Sequence, residues 1–455
     1  MGPPRCLREV LAQAARRPMR IVFGSLAIAM SLSKRTEFYL SQWINVLLTA
    51  VPIRSRTSFL ELLCGCMVSP EGWVSRAISA IGCTRHWTAY FKLLERGTWR
   101  TVPLARALLR LVLAVLPSGT LTMVLDDTLI MRCSKKAPGV AWRREHSGKT
   151  NRPKHVWAQC IVTLGVSVLG NGGVGMVLPI LSRLVPETGN TNKLKIALAL
   201  VRAVSGVTER PIRVLFDSWF MRARLVLPLL RRNMHVIGQA RIDTALFLPP
   251  VRSGAPGRGR PRIYGKRLSA EAIETLPATE LTMKLYGKEQ RVRLRSIVAV
   301  ARFLKGTTVR AVWCQFYNDK RQEWTKRRLI LASEVDLEAQ TVVQLYARRR
   351  RWGIEPLFHN LKRWWGFNNL WQQKRTVLEL WMQIRSCAWT LTQLLSLAIA
   401  EDFPMHEIAP WRIGQPVTAG LVAQWLRREF TGLASHTPVQ GKSRKFQRPE
   451  ARHAP

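Results

Sequence analysis

Between residues 121 and 217 four apolar, β-prone runs follow one another: Leu121–Ile130, His155–Leu169, Met176–Val185 and Pro211–Asp217. Such runs bury themselves in a sheet. Two of them carry acids where they leave it, Asp126 and Asp127 on the first and Asp217 on the last. An acid at the end of a buried strand points into whatever site lies above the sheet. Asp126 shares the parity of Thr122 and Val124, while Asp127 points to the opposite face, so Asp126 is the first choice and Asp127 the reserve. The plain structural alternative is a strand-end turn in which an aspartate caps its own backbone. An amphipathic helix, 192–205, separates the third run from the fourth.

A second feature is helical. In Tyr346–Phe367 the residues Ile354, Leu357, Phe358, Leu361 and Trp365 recur at helical spacing and make one buried face. Arg351, Glu355, His359 and Lys362 form a second stripe, in which one carboxylate stands among cationic groups. A solvated polar face is the bland reading of such a stripe. Pro356 cannot continue a helix, so a new helix is expected to start at Glu355, just after Gly353.

The spacing Arg351-x-x-x-Glu355-x-x-x-x-x-x-Lys362 is similar to the Tyr-x-x-Arg-x-x-x-Glu-x-x-x-x-x-x-Lys signature of bacterial insertion-sequence transposases with a DDE active site, of the insertion-sequence-four type. One position departs: Arg348 stands where the signature has tyrosine, and the nearest tyrosine is Tyr346. Asp126-x-Thr128 and Asp217-Ser218-Trp219-Phe220 resemble that family's two aspartate segments. The resemblance covers about Leu121–Trp371. It implies an α/β fold, with a ribonuclease-H-like catalytic core interrupted by a β-rich insertion and helical N- and C-terminal regions. It further implies that Asp126, Asp217 and Glu355 are the catalytic, metal-ligating acids. Mg²⁺ (or Mn²⁺), as two ions, would lower the pKa of an attacking water and neutralise the leaving 3′ oxygen. The partner would be double-stranded DNA, as terminal inverted repeats and as target, held by a dimer assembled on that DNA. Arg351 and Lys362 would hold the DNA end, and Trp219, Trp352, Trp364 and Trp365 offer faces for an unpaired base. Two other readings stand beside the transposase: a related metal-dependent nuclease without strand transfer, and a transposase-derived DNA-binding protein that has lost its chemistry.

Charge agrees with nucleic acid. The 455 residues carry 71 Lys+Arg against 28 Asp+Glu, a net charge of +43 that calls for a polyanion. A ribosomal or membrane-surface protein shares the charge, but 17 Trp and 47% hydrophobic residues are those of a chain that folds around a core. Eight cysteines, mostly in apolar runs, fit reduced thiols in a cytoplasm, and a cytoplasmic, nucleoid-associated protein is expected. The apolar run 21–32 reads as a helix rather than a secretory signal, and no run is long enough to span a membrane.

Five regions are expected: 1–116, a helical DNA-binding region; 117–240, the first part of the core; 241–335, a basic linker and β-rich insertion; 336–435, the glutamate helix and C-terminal helices; and 436–455, a disordered basic tail. The basic stretch 131–154 reads as a loop whose Arg143, Arg144 and Lys149 meet a phosphate backbone. Arg258-Gly259-Arg260-Pro261 resembles an AT-hook core, with Arg258 and Arg260 entering a minor groove. Three motifs are decoys. Ser147–Thr150 lacks the earlier glycine of a phosphate loop, and Gly170–Gly175 spells GxGxxG but precedes a strand, so it reads as a hairpin turn and no nucleotide cofactor is expected. Cys64-x-Cys66 with Cys83-x-x-His86 is too tightly spaced for zinc.

Overall fold

The computed structural model describes residues 34–434 apart from 83, 146–152, 171–174, 188–190, 252–260, 286 and 350–352. Helices come first: α1 (Lys34–Leu48), α2 (Arg56–Val68), α3 (Val74–Ser79), α4 (Thr88–Arg96) and α5 (Thr101–Val115). Next are β1 (Leu121–Met131), β2 (Val140–Arg144), β3 (His155–Leu169), β4 (Gly175–Leu184), α6 (Thr191–Ser205), β5 (Ile212–Phe216), α7 (Ala223–Leu230), β6 (His235–Ala240) and β7 (Leu246–Phe247). There follow α8 (Ala270–Glu274), β8 (Thr279–Leu285), β9 (Lys288–Ala301), β10 (Thr307–Asn318), β11 (Glu323–Trp324) and β12 (Arg328–Ala332). The chain then forms α9 (Ala339–Arg349), α10 (Glu355–Arg363), α11 (Arg375–Ala398), α12 (Met405–Ile408) and α13 (Ala419–Ala434).

All four apolar runs enter one sheet. β3 lies antiparallel to β1, and β2 and β4 pair with successive parts of β3. β1, β5 and β6 are parallel neighbours, linked by crossovers through α6 and α7. The β-rich stretch expected over 281–332 does not stand apart. β12 pairs antiparallel with β6, and β10 and β9 continue the same sheet. β4 also pairs antiparallel with β3 across the glycine run, where a dinucleotide site requires a helix. Near this hairpin the register shifts at Leu164/Gly165, and a β-carbon on Gly165 would lie 2.4 Å from the Val177 side chain, so only glycine fits.

One expectation is corrected. The stretch 131–154 is not all loop, because Val140–Arg144 forms β2 against the start of β3. Alternation sends Arg143 inward, where it is buried and donates to the Pro186 and Gly139 carbonyls, and leaves Trp142 and Arg144 outside. A run of five residues with two arginines hides its period of two under its charge.

The helical layer is organised by α11, which is apolar on nearly every side and correspondingly buried from Val377 to Ala398 with few gaps. It packs on β4 and on α1, α2, α4, α5 and α13. Its Trp381 indole donates to the Gly72 carbonyl at 2.7 Å, and its Gln383 amide to the Ile180 carbonyl at 2.8 Å. Arg385, fully buried, donates to the carbonyls of Trp365 (2.6 Å) and Ser69 (2.9 Å) and sits beside the Cys66 sulfur. The N-terminal helices therefore share one core with the C-terminal half. Gly366, at φ 69°, lets the turn after α10 press against Gly72 of this bundle. No helix among the described residues is long and apolar enough to cross a membrane.

Candidate active site

A cavity of about 730 Å³ opens at the end of β5 and beside the second half of β1, which runs on to Met131, so Asp126 and Asp127 lie within the strand and not at its end. Asp126, Asp127, Glu145 and Asp217 line it with Lys193, Lys362, Ser218, Trp219 and Asn368. The carboxyl ends of parallel strands are where open α/β sheets place their ligands, and the register explains this one. Leu121 lies opposite Ile212 and Val124 opposite Leu215. The pairing stops there; two residues further on stand Asp126, still within β1, and Asp217, just past the end of β5, and both line the cavity. Each aspartate is oriented by nearby backbone: Asp126 Oδ1 accepts from the Asp127 amide at 2.9 Å, and Asp217 Oδ1 from the amides of Trp219 (3.0 Å) and Phe220 (3.2 Å). Asp217 thus caps the turn after β5, a role expected as the structural alternative only for the Asp126–Asp127 pair.

Asp127, one residue on, lines the same cavity. There α6 brings Lys193, whose ammonium meets Asp127 Oδ2 at 2.8 Å and lies 4.8 Å from the centre of the Trp219 ring. The Cys160 thiol donates to the same oxygen at 3.2 Å. Burial works to lower the Lys193 pKa, but the charge of Asp127 and the neighbouring Cys160 outweigh it and hold it above its ordinary value. Burial, reinforced by Asp127, pushes the Cys160 thiol far up, so this sulfur stays protonated. Both adjacent acids thus line the cavity, and Lys193 and Cys160 engage Asp127.

The face carrying Asp126 and Asp217 is covered by α9. Gln239 of β6 is the next position level with Asp217 and receives the Tyr346 hydroxyl at 3.4 Å. α10 runs from Glu355 with Pro356 in its first turn, but Gly353 and Ile354 before it are already helical, in a π turn, so the helix does not begin afresh at Glu355. The apolar face of this segment is buried as its spacing requires: Ile354, Leu357, Phe358, Leu361 and Trp365 are all in the core. Glu355 and His359 are exposed, and Lys362 is half-buried at the cavity. Seven residues separate Glu355 from Lys362, which puts them on the same side of the helix, roughly 10 Å apart along its axis. Lys362 lines the cavity and Glu355 lies outside its lining. Among the described residues, no group of three or more His, Cys, Asp or Glu side chains is gathered closely enough to hold a metal ion.

Arg132 ties the end of β1 to the turn that follows α10. It donates to Gln159 at 2.8 Å, to the Phe367 carbonyl at 3.2 Å and to the Asn368 carbonyl. Burial lowers its pKa to about 10.

The remaining candidates divide. Trp219 lines the cavity and Arg144 is exposed on β2, whereas Arg143 is buried and engaged with carbonyls, which removes it from the DNA-facing set. Trp365 is likewise a core residue, edge-on to Trp389 at 4.6 Å, while Trp364 is exposed. Lys149, Arg258, Arg260, Arg351 and Trp352 lie outside the described residues. Sequence reasoning missed Glu145, Lys193 and Asn368. Lys193 opens an amphipathic helix and finds its acid 66 positions away, so no local spacing announces it.

With this geometry in view, the comparisons with known proteins can be read. The family model described as DDE superfamily endonuclease matches residues 47–300, more than half of the chain. The chain belongs to that superfamily. The match includes Asp126 and Asp217 and stops before Glu355. Among solved structures, the chain is similar to a piggyBac transposase, determined by cryo-EM as a synaptic complex with hairpin DNA. They share 12% identity and a TM-score of 0.33 over 96% of this chain and 78% of that one. A search of curated proteins finds no match.

Proposed function

We propose that this protein is a DNA transposase that cuts phosphodiester bonds at the ends of a mobile element and joins those ends to a target. The observation that carries the reading is that Asp126 and Asp217 line one cavity together with Lys362. The strand order β4-β3-β1-β5-β6, with β3 antiparallel to β1 and the other three parallel to it, supports a ribonuclease-H-like core. The sheet then continues into the β-rich stretch before the glutamate helix. The insertion-sequence-four-like grouping rests on the spacing of Arg351, Glu355 and Lys362.

Hard oxygen donors lining one cavity fit a divalent cation of the Mg²⁺ or Mn²⁺ kind. Asp126 and Asp217 would hold it, with Glu355 as the third acid. When bound, such ions supply charge neutralisation at the phosphate and an activated water or 3′-hydroxyl. The protein's own part is positioning. The backbone N–H groups after β5 fix the Asp217 carboxylate, Lys193 pairs with Asp127 in the same cavity, and Lys362 offers an ammonium to a non-bridging phosphate oxygen. Trp219 presents a ring beside the cut, and the +43 net charge draws in double-stranded DNA. Two ends cut by two active sites call for a dimer assembled on DNA.

The test is Mg²⁺-dependent cleavage of DNA bearing the element's ends, comparing wild type with Asp126→Asn, Asp217→Asn and Glu355→Gln. Each is expected to lose at least about a thousandfold in rate, about 4 kcal/mol of barrier, with melting temperatures unchanged. Full activity in Asp126→Asn or Asp217→Asn ends the reading. Loss in Glu145→Gln with Glu355→Gln intact would move the third acid to the residue that lines the cavity.

A further inference from the structure

A second groove, of about 400 Å³, joins the acid cavity, and Ser218 lines both. It lies one strand further along the sheet, where β5 and β6 end. Arg222, Arg241 and Arg302 reach it from three separate segments: the residue before α7, the residue after β6 and the turn after β9. The amide of Arg302 donates to the Ala245 carbonyl at 3.2 Å, which fastens that turn to the loop after β6. Asp243 is the acid in the lining. It pairs with Arg241 at 3.0 Å, and both side chains are more than half exposed, so the pair is weak and easily exchanged. Three guanidinium groups against one carboxylate, with the Thr244 hydroxyl and the start of α7 beside them, make a concave cationic surface.

We propose that this groove is a phosphate subsite for the strand whose bond is cut at Asp126 and Asp217. It takes a phosphodiester one or two nucleotides away from the scissile one, so that the strand crosses the carboxyl edge of the sheet from β1 over Ser218 toward β6. The proposal rests on the endonuclease reading of the neighbouring cavity. Guanidinium forks match phosphate oxygens two at a time, and lysines do not. Because the three arginines come from different segments, the groove reads backbone charge and position rather than base sequence.

The experiment is binding of a fluorescent duplex of arbitrary sequence, without divalent cation, as a function of salt. Each phosphate contact contributes about 0.9 to the slope of log affinity against log salt. Removing two contacts with R222Q/R302Q is therefore expected to lower the slope by about two and the affinity at least about tenfold. The control is R231Q/R232Q, which removes the same charge from exposed positions at the other end of α7 and is expected to change the slope by less than half as much. Should the double variant melt early, R222Q and R302Q singly decide, each expected to lower the slope by about one. An unchanged slope in the groove variants, or an equal fall in the control, overturns the subsite. No cutting takes place in this assay, so its failure leaves the roles of Asp126 and Asp217 untouched. Wild-type binding with no cleavage of end-bearing DNA once Mg²⁺ is added would remove the endonuclease reading instead.

Discussion

Arg385 and Lys193 are both buried cations, one inside the helical layer and one beside the acid cavity, and they are neutralised in opposite ways. Arg385 is surrounded by two backbone carbonyls and a sulfur from two segments, and burial lowers its pKa. It joins α11 to the end of α2 and to the turn after α10, and has nothing left to offer a ligand. Lys193 is neutralised by one carboxylate at the edge of a solvent-filled cavity, with an aromatic ring on its flank. A cation solvated by carbonyls is a tie between segments. A cation paired to an acid beside a substrate cavity sorts the charges that the substrate will meet.

Changes at the two positions separate these roles. Arg385→Met leaves two buried carbonyls without their donor, each worth about 1–3 kcal/mol, so a loss of about 4 kcal/mol in urea-unfolding stability is expected. A loss below about 1 kcal/mol would deny Arg385 its role as a tie. Lys193→Met strands the Asp127 carboxylate, at about 3 kcal/mol by the general cost of breaking a buried pair. The double variant Lys193→Met/Asp127→Asn is expected to recover most of that. Additive losses in this cycle would show that the pair does not act as a unit.

Arg132→Gln loosens the turn that places Asn368 and the end of α10 against β1. It should slow cleavage by about tenfold while costing about 1 kcal/mol of stability. Equal activity would mean that the turn is held well enough without it. The smallest effect is at alkaline pH. The folded pKa of Lys193 is raised, so the stability its pair contributes is fully present below the unfolded value of about 10.4 and is lost as pH rises through the folded value. Wild type should therefore lose stability above about pH 10.4 in excess of Lys193→Met, and parallel curves would refute the linkage.

Much of the site was legible from residue order. Asp126, Asp127 and Asp217, singled out on their apolar runs, all line the cavity, and Pro356 falls in the first turn of α10, although Gly353 and Ile354 already form a π turn ahead of it. The buried stripe from Ile354 to Trp365 followed from helical spacing. β2 was not legible, since Val140–Arg144 is a strand only because β3 offers it an edge. The burial of Arg143 and the joining of β12 to β6 had the same kind of cause.

Alternation and helical spacing are local properties, because each residue's direction follows from its neighbours' backbone angles. The sequence by itself therefore determined which residues face a core and that Asp217 stands at the end of its strand, whereas Asp126 and Asp127 lie inside β1 because β3 pairs with it as far as Met131. Which distant groups meet was decided by the tertiary structure alone. Asp127 finds Lys193, Arg385 finds the carbonyls of Ser69 and Trp365, and three arginines gather beyond Ser218, because the crossovers bring separate segments to one edge of one sheet.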